Sequence, residues 1–165
     1  MTAIGEIMAS IFASGTAYAA PTLALVLSIA CLSAPVAAAE SADLVLHIDN
    51  LRNSKGNLLI CVTQNAKQFP DCSKDIKAQR LVLPTSSVSN VPVTVSLPAP
   101  GQYAVSLVHD ENGNGKLDTL LMVPREGYGF SRNPRISFGP PSFAKASFSF
   151  DGEAIEKRIQ VKYSF

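Results

Sequence analysis

The stretch HDENGNGKLD, residues 109–118, places oxygen-bearing side chains at alternate positions beside two glycines. In a calcium-binding loop such oxygens occupy the first, third, fifth and ninth positions, and the seventh contributes a carbonyl. Gly115 stands at the sixth position, where the chain must reverse sharply. Because alternate oxygens on a tight turn converge on one centre, the spacing predicts a calcium site. Its ligands would be Asp110, Asn112, Asn114, Lys116 and Asp118.

The twelfth position departs from that pattern, because Leu121 stands where a bidentate carboxylate belongs. Glu111, Glu126 or water would have to complete the coordination. We therefore expect a weak affinity for calcium, with a dissociation constant on the order of 10⁻⁴ to 10⁻³ M. The alternative is an Asx-rich loop in which Asn and Asp side chains cap their own backbone and no ion binds.

Aromatic and basic residues interleave in the following segment, VPREGYGFSRNPRISFGPPSF. Aromatic planes beside guanidinium groups can form a platform for a sugar, an anion or a peptide. The alternative is that the aromatic rings fold back onto the domain while the arginines face water. The predicted ligand-binding residues are Tyr128, Phe130, Arg125 and Arg132.

Catalysis has little support in the sequence, and we predict that the protein is not an enzyme. Neither G-x-S-x-G nor H-E-x-x-H occurs. Neighbours on an extended strand point to opposite faces, so His109 and Asp110 cannot form a dyad. A hydrolase that uses Glu111 and Glu126 as paired carboxylates is kept as an alternative.

Two cysteines, Cys61 and Cys72, frame the short segment CVTQNAKQFPDC. In an exported protein such a pair is most simply a disulfide. The alternative is half of a zinc site, for which only His47 and His109 could supply further nitrogen ligands.

The N-terminus is apolar, and Glu6 is its only charged residue before Glu40. An apolar run ends in Ala37-Ala38-Ala39, which fits a signal peptide over residues 1–39 and one domain over 40–165. A retained anchor would need about 20 apolar residues, and a lipoprotein modified at Cys31 is a further alternative. The expected location is periplasmic or secreted, with no stable membrane insertion after cleavage. A formal net charge of +1 argues against nucleic acid as a partner.

The elements that would position these residues have a hydrophobic period of two. Alternation of this kind predicts half-buried strands, and LLICVT, apolar on both faces, is expected to be central. A long loop insert runs from about 110 to 143. The seven predicted strands cover 43–51, 58–63, 79–83, 91–97, 102–110, 144–150 and 158–165.

This pattern predicts an all-β, antiparallel seven-stranded sandwich of immunoglobulin-like or transthyretin-like type. The C-terminal RIQVKYSF also resembles the last strand of outer-membrane β-barrels, but most of the predicted strands are shorter than a spanning strand requires. The barrel is retained as an alternative.

Three linked motifs carry a resemblance to a known family. HDENGNGKLD, EGYGFS and GPPSF, preceded by GQYAVSLV, resemble a family of small exported bacterial proteins catalogued as a domain of unknown function. The resemblance spans about Asp43 to Phe165 and implies an exported β-sandwich without an established activity. The Asp/Asn/Gly run is also similar to calcium loops of sandwich modules in bacterial adhesins, which keep an acidic ligand where this chain has Leu121.

The sequence thus predicts a non-enzymatic exported binding or structural module. Its partner would be an unknown protein, peptide or saccharide, and calcium would stabilise its long loop.

Overall fold

Ten β-strands and three short helical turns occur in the part of the chain that the computed structural model describes, residues 41–164. The predicted signal peptide lies outside the described residues. The strands are β1 Ala42–Asp49, β2 Asn57–Thr63, β3 Gln79–Pro84, β4 Val93–Leu97, β5 Gly101–Asp110, β6 Thr119–Leu120, β7 Val123–Pro124, β8 Gly127–Phe130, β9 Phe148–Phe150 and β10 Ile155–Gln160. The helical turns are Cys72–Lys74, α1 Thr85–Val88 and α2 Phe143–Ala146.

The strands form two main sheets and one small hairpin. The three-stranded sheet has the order β10-β1-β4, and the five-stranded sheet has the order β3-β2-β5-β8 with β9 paired to the start of β5. β6 and β7 form the hairpin. No helix within residues 41–164 is long and apolar enough to cross a membrane.

One hydrophobic core joins the two main sheets, because each strand turns every second side chain inward. The three-stranded sheet contributes residues such as Leu44, Leu46 and Ile159, and the five-stranded sheet contributes residues such as Leu58 and Val105. All five are 0% exposed. The prediction of an all-β, sandwich-like fold is confirmed.

The structure differs from the predicted sandwich in two details. The two main sheets hold eight strands, not seven, because part of the expected loop insert forms β8 and pairs antiparallel with β5. The sandwich is also not wholly antiparallel, since β10 runs parallel to β1. β10 begins at Ile155, before the expected start at Arg158, because Ile155, Lys157 and Ile159 share the less exposed face of a strand and alternate with the exposed residues at 156, 158 and 160.

The disulfide prediction is confirmed, because Cys61 on β2 is bonded to Cys72, the first residue of the helical turn Cys72–Lys74. Their Cα atoms lie 6.1 Å apart, and both side chains are buried. The bond attaches the loop 69–73 to the middle of the five-stranded sheet.

Replacing Cys61 and Cys72 together by serine is expected to lower the free energy of unfolding by about 2 to 3 kcal/mol, because the open loop gains entropy in the unfolded chain. Urea unfolding measures the loss. A reductant should lower the midpoint of the wild type and leave that of the double variant unchanged. Equal midpoints for oxidised wild type and double variant would show that the bond contributes nothing.

Candidate functional site: a groove on the outer face of the five-stranded sheet

The outer faces of the two sheets differ in polarity. On the three-stranded sheet the residues beside Val45 are Thr94 and Glu156, and those beside His47 include Arg158. An outer face of this kind is the usual result when one side of a sheet meets water.

The five-stranded sheet instead carries an apolar row across four strands. Leu59 on β2 pairs with Val82 on β3 and with Val108 on β5. Val108 pairs in turn with Tyr128 on β8. None of the four is fully buried, and Val82 is 64% exposed. Four adjoining apolar side chains on a water-facing surface form a candidate binding surface.

A small aromatic cluster covers another part of this outer face. Phe69 packs edge-on against Phe130 and Phe143, with ring centroids 5.9 Å apart in each pair. Ala104 and Ala146 are buried beneath these rings. The hydroxyl of Ser106 donates to the carbonyl of Pro70 at 2.8 Å, which fixes the loop 69–73 above β5.

The uncovered part forms a groove of about 870 Å³, which is within the usual size range of ligand pockets. The apolar row is its floor. Its walls are the disulfide-bonded loop, the segment 115–124 and the segment 136–140. Residues of the walls include Pro70, Cys72, Leu117, Met122, Pro124, Ile136 and Pro140.

The hairpin of β6 and β7 ends in an exposed apolar tip. Leu121 and Met122 are 89% and 84% exposed, and both have positive φ, 49° and 67°. Residues other than glycine rarely adopt this backbone conformation, and backbone strain of this kind concentrates at functional loops. Met122 and Pro124 line the groove, so the hairpin forms one of its walls.

Asp110 holds the start of the loop that leads to this wall. Its side chain is 0% exposed, and its carboxylate accepts the backbone N–H groups of Asn114 at 3.0 Å and Gly115 at 2.7 Å. The side chain of Asn112 accepts from Asn114, and that of Asn114 accepts from Lys116. The Asx-turn alternative of the sequence analysis is therefore present as a chain of local hydrogen bonds.

Glu126 closes the loop from the other side. Its carboxylate accepts the backbone N–H groups of Glu111 and Asp118, each at 3.0 Å. The side-chain amides of Asn114 and Asn112 donate to the carboxylate of Asp118 and lower the pKa of this acid. The loop is thus ordered by its own side chains.

The fit of this loop to calcium is partial. Asn112, Asn114 and Asp118 meet within hydrogen-bonding distance, and the second carboxylate, that of Asp110, lies at the base of the same loop. Glu126 is occupied as a cap, and Leu121 is at the hairpin tip. Residues 41–164 contain no group of three or more His, Cys, Asp or Glu side chains that could hold a metal. The amide nitrogens of Asn112 and Asn114 face Asp118, whereas their amide oxygens accept the backbone N–H groups of Asn114 and Lys116.

A polar network flanks the loop on the other side. The guanidinium group of Arg52 donates to both carboxylate oxygens of Glu111 and lies over the ring of Tyr163, 4.4 Å from its centroid. The Tyr163 hydroxyl lies 2.7 Å from Nδ1 of His109, whose Nε2 donates to the carbonyl of Lys55. The side chains of His109 and Asp110 thus lie on opposite faces of β5 and have different hydrogen-bond partners.

Glu111 should make folding sensitive to acid. Hydrogen bonds from Arg52 hold the pKa of Glu111 below its ordinary value. A depressed pKa in the folded state stabilises the protein above the unfolded pKa of about 4.3, and the contribution is lost as the pH falls through the folded value. Urea unfolding of wild type and Glu111→Gln should differ most at about pH 6 and converge toward about pH 3. A gap that stayed constant with pH would contradict this role.

The structure brings together two of the four residues predicted to bind a ligand. Tyr128 and Phe130 line the groove. Arg125 is exposed beside Arg52, which donates to its carbonyl, and Arg132 donates to the carbonyls of Ala144 and Ser147. Neither arginine is among the groove residues.

Sequence reasoning missed Leu59, Val82 and Val108. The available signal was that LLICVT is apolar on both faces, because Leu59 sits among the inward-facing Leu58 and Ile60. The pattern predicts a central strand, which β2 is, and its second apolar face, that of Leu59, lies in the groove.

The groove also contains charged side chains. Arg80 lies two residues before Val82 on β3 and therefore on the same face. Lys116 is on the facing wall. Within residues 41–164 the side chain of Arg80 has no hydrogen-bonded or ionic partner, whereas Lys116 interacts electrostatically with the carboxylate of Asp118. The acid in the lining, Asp71, accepts from the N–H and hydroxyl of Ser73.

A comparison with protein families identifies a bacterial family. The family described as "Uncharacterized protein conserved in bacteria (DUF2141)" matches over residues 46–158, which includes the floor of the groove and the loop anchored by Asp110. No curated protein and no solved structure matches the chain.

Proposed function

The chain belongs to DUF2141, an uncharacterized bacterial family, and on the geometry of its outer groove we propose that it is a non-enzymatic exported binding module that holds an apolar ligand. The observation that carries the proposal is the row Val82, Leu59, Val108 and Tyr128 on a face that would otherwise be polar. Covering this row removes apolar surface from water, which is favourable by about 25 cal/mol per Å².

The lining supports an apolar ligand more than a saccharide. A sugar ring needs several convergent hydrogen-bonding groups, whereas the floor consists of three aliphatic side chains and one tyrosine ring. The protein or peptide partner considered from the sequence would have to present an apolar segment to this floor.

A binding role is also supported by the carboxylates. Glu111 and Glu126, the pair considered for hydrolysis, are both engaged: the first with Arg52 and the second with two backbone N–H groups. Neither lines the groove. A periplasmic or secreted location is supported by the apolar N-terminus with its alanine-rich end and by the disulfide.

Titration with Nile red, an uncharged fluorescent probe of apolar sites, tests the proposal. The wild type should bind it with a blue shift, and Val108→Gln should weaken binding at least about fivefold, because an amide replaces apolar floor in the middle of the groove. Val45→Gln is the matched control, since Val45 is a half-buried outward valine on the central strand of the other sheet. Equal weakening by both variants, or no binding by the wild type, would overturn the proposal.

The loop 110–118 supports a second proposal, a weak calcium site that stiffens this wall of the groove. The supporting observation is that Asn112 and Asn114 both contact the Asp118 carboxylate, in a loop whose start is held by the buried Asp110. Calorimetric titration of the folded protein with calcium should give a dissociation constant on the order of 10⁻⁴ to 10⁻³ M, and Asp118→Asn should abolish the heat. Binding that survives this substitution would exclude these oxygens.

A further inference from the structure

The charges in the groove narrow the class of ligand. We infer that the groove binds a single-chain amphiphile whose anionic head pairs with Arg80 while its hydrocarbon chain lies along the apolar row. This inference deepens the proposed function and rests on it.

Charge complementarity supports an anion. The lining holds two cations, Arg80 and Lys116, and one acid, Asp71, and Lys116 also interacts electrostatically with the carboxylate of Asp118. The Arg80 side chain has no hydrogen-bonded or ionic partner among the described residues, so the groove presents one unpaired guanidinium group beside an apolar floor. A ligand with a carboxylate would satisfy the Arg80 guanidinium, which presents donors in a fork that matches this group.

The arrangement of the floor supports a linear chain. The row crosses β3, β2, β5 and β8 in that order, so its four side chains span three strand spacings, or about 14 Å. Arg80 lies on the edge strand β3, two residues from the end of the row at Val82. A head at Arg80 thus leaves the chain free to run inward over Leu59 and Val108 toward Tyr128.

The wall beside the row also suits a hydrocarbon chain. Leu117, Met122 and Pro124 face the groove from the segment 115–124. Methionine adapts its shape to irregular apolar surfaces, so this wall can close around a flexible chain. The exposed tip of the hairpin, Leu121 and Met122, adds apolar surface to this wall beyond that of the floor.

Competition against Nile red at neutral pH tests the inference with two matched probes, dodecanoate and dodecanol, each kept below the concentration at which it self-associates. Dodecanoate should displace the dye at least about fivefold more effectively than dodecanol, because only the carboxylate gains an ion pair. Arg80→Gln should remove this preference and leave displacement by dodecanol unchanged. Arg158→Gln, on the outer face of the other sheet, is the control and should keep the preference.

The outcomes separate this inference from the proposed function. Equal displacement by both probes, or a preference that survives Arg80→Gln, would overturn the pairing of an anionic head with Arg80. The proposal of an apolar binding site would be unaffected. Stronger displacement by an uncharged apolar peptide than by dodecanoate would overturn the amphiphile in favour of a protein segment. If Val45→Gln lost Nile red binding to the same extent as Val108→Gln, the groove would not be the binding site, and the proposed function itself would be overturned.

Discussion

Replacing Gly56 by alanine is expected to destabilise the protein by about 2 to 5 kcal/mol. Gly56 has a φ of +64°, and a Cβ placed there would collide with the carbonyl oxygen of Asp110 and approach two backbone atoms of Glu111 to 2.8 Å. Backbone cannot move aside as a side-chain end can, so the start of the loop would have to shift. Urea unfolding gives the loss in the free energy of unfolding.

Gly115→Ala provides the matched control for Gly56. Gly115 has a φ of +81°, but a Cβ there would meet nothing within 4 Å. Alanine should therefore cost only the left-handed backbone penalty, about 1 kcal/mol. If the two variants lost the same stability, the close packing of Gly56 against Asp110 would not contribute to the fold.

Asp110→Ala is expected to lower the free energy of unfolding by about 2 to 4 kcal/mol, because a buried carboxylate and its two charge-assisted hydrogen bonds are lost. The N–H groups of Asn114 and Gly115 lose this acceptor. Hydrogen exchange at these two amides should accelerate, and Nile red should bind more weakly, because the segment 115–124 would no longer be fixed as a wall. Asp110→Asn keeps one acceptor oxygen and should fall between alanine and wild type.

The variant Asn112→Ala distinguishes the contribution of Asp110 to stability from that of the other Asx side chains in the loop. The side chain of Asn112 is exposed and shares its acceptor role toward Asn114 with Asp110. Its removal should cost less than about 1 kcal/mol. A loss as large as that of Asp110→Ala would mean that the loop is held by the whole chain of Asx turns and not by the buried carboxylate.

The strands were predictable because their side chains alternate. Leu44 and Leu46 on β1, and Val93, Val95 and Leu97 on β4, are the apolar members of simple period-two patterns, and all are buried. The cysteine pairing followed from short separation and the expectation of export. These features depend on local sequence, which alternation and spacing describe well.

The groove was not predictable because it depends on strand order. Val82 and Leu59 are neighbours only because β3 pairs with β2, and Val108 joins them only because β5 pairs with the other edge of β2.

β8 was hidden in the expected insert because GYGF has two glycines, which weaken strand propensity. Those glycines are required by packing, since a Cβ at Gly127 would meet Val161 and one at Gly129 would meet Ile159.

The most direct measurement of the central claim is the set of nuclear Overhauser contacts between bound Nile red and the methyl groups of the protein. We expect contacts to Leu59, Val82 and Val108 together, because these side chains form one continuous floor. Contacts confined to exposed apolar residues elsewhere, such as Ile76 at 96% exposure, would contradict binding in the groove and leave the outer face of the five-stranded sheet without a binding role.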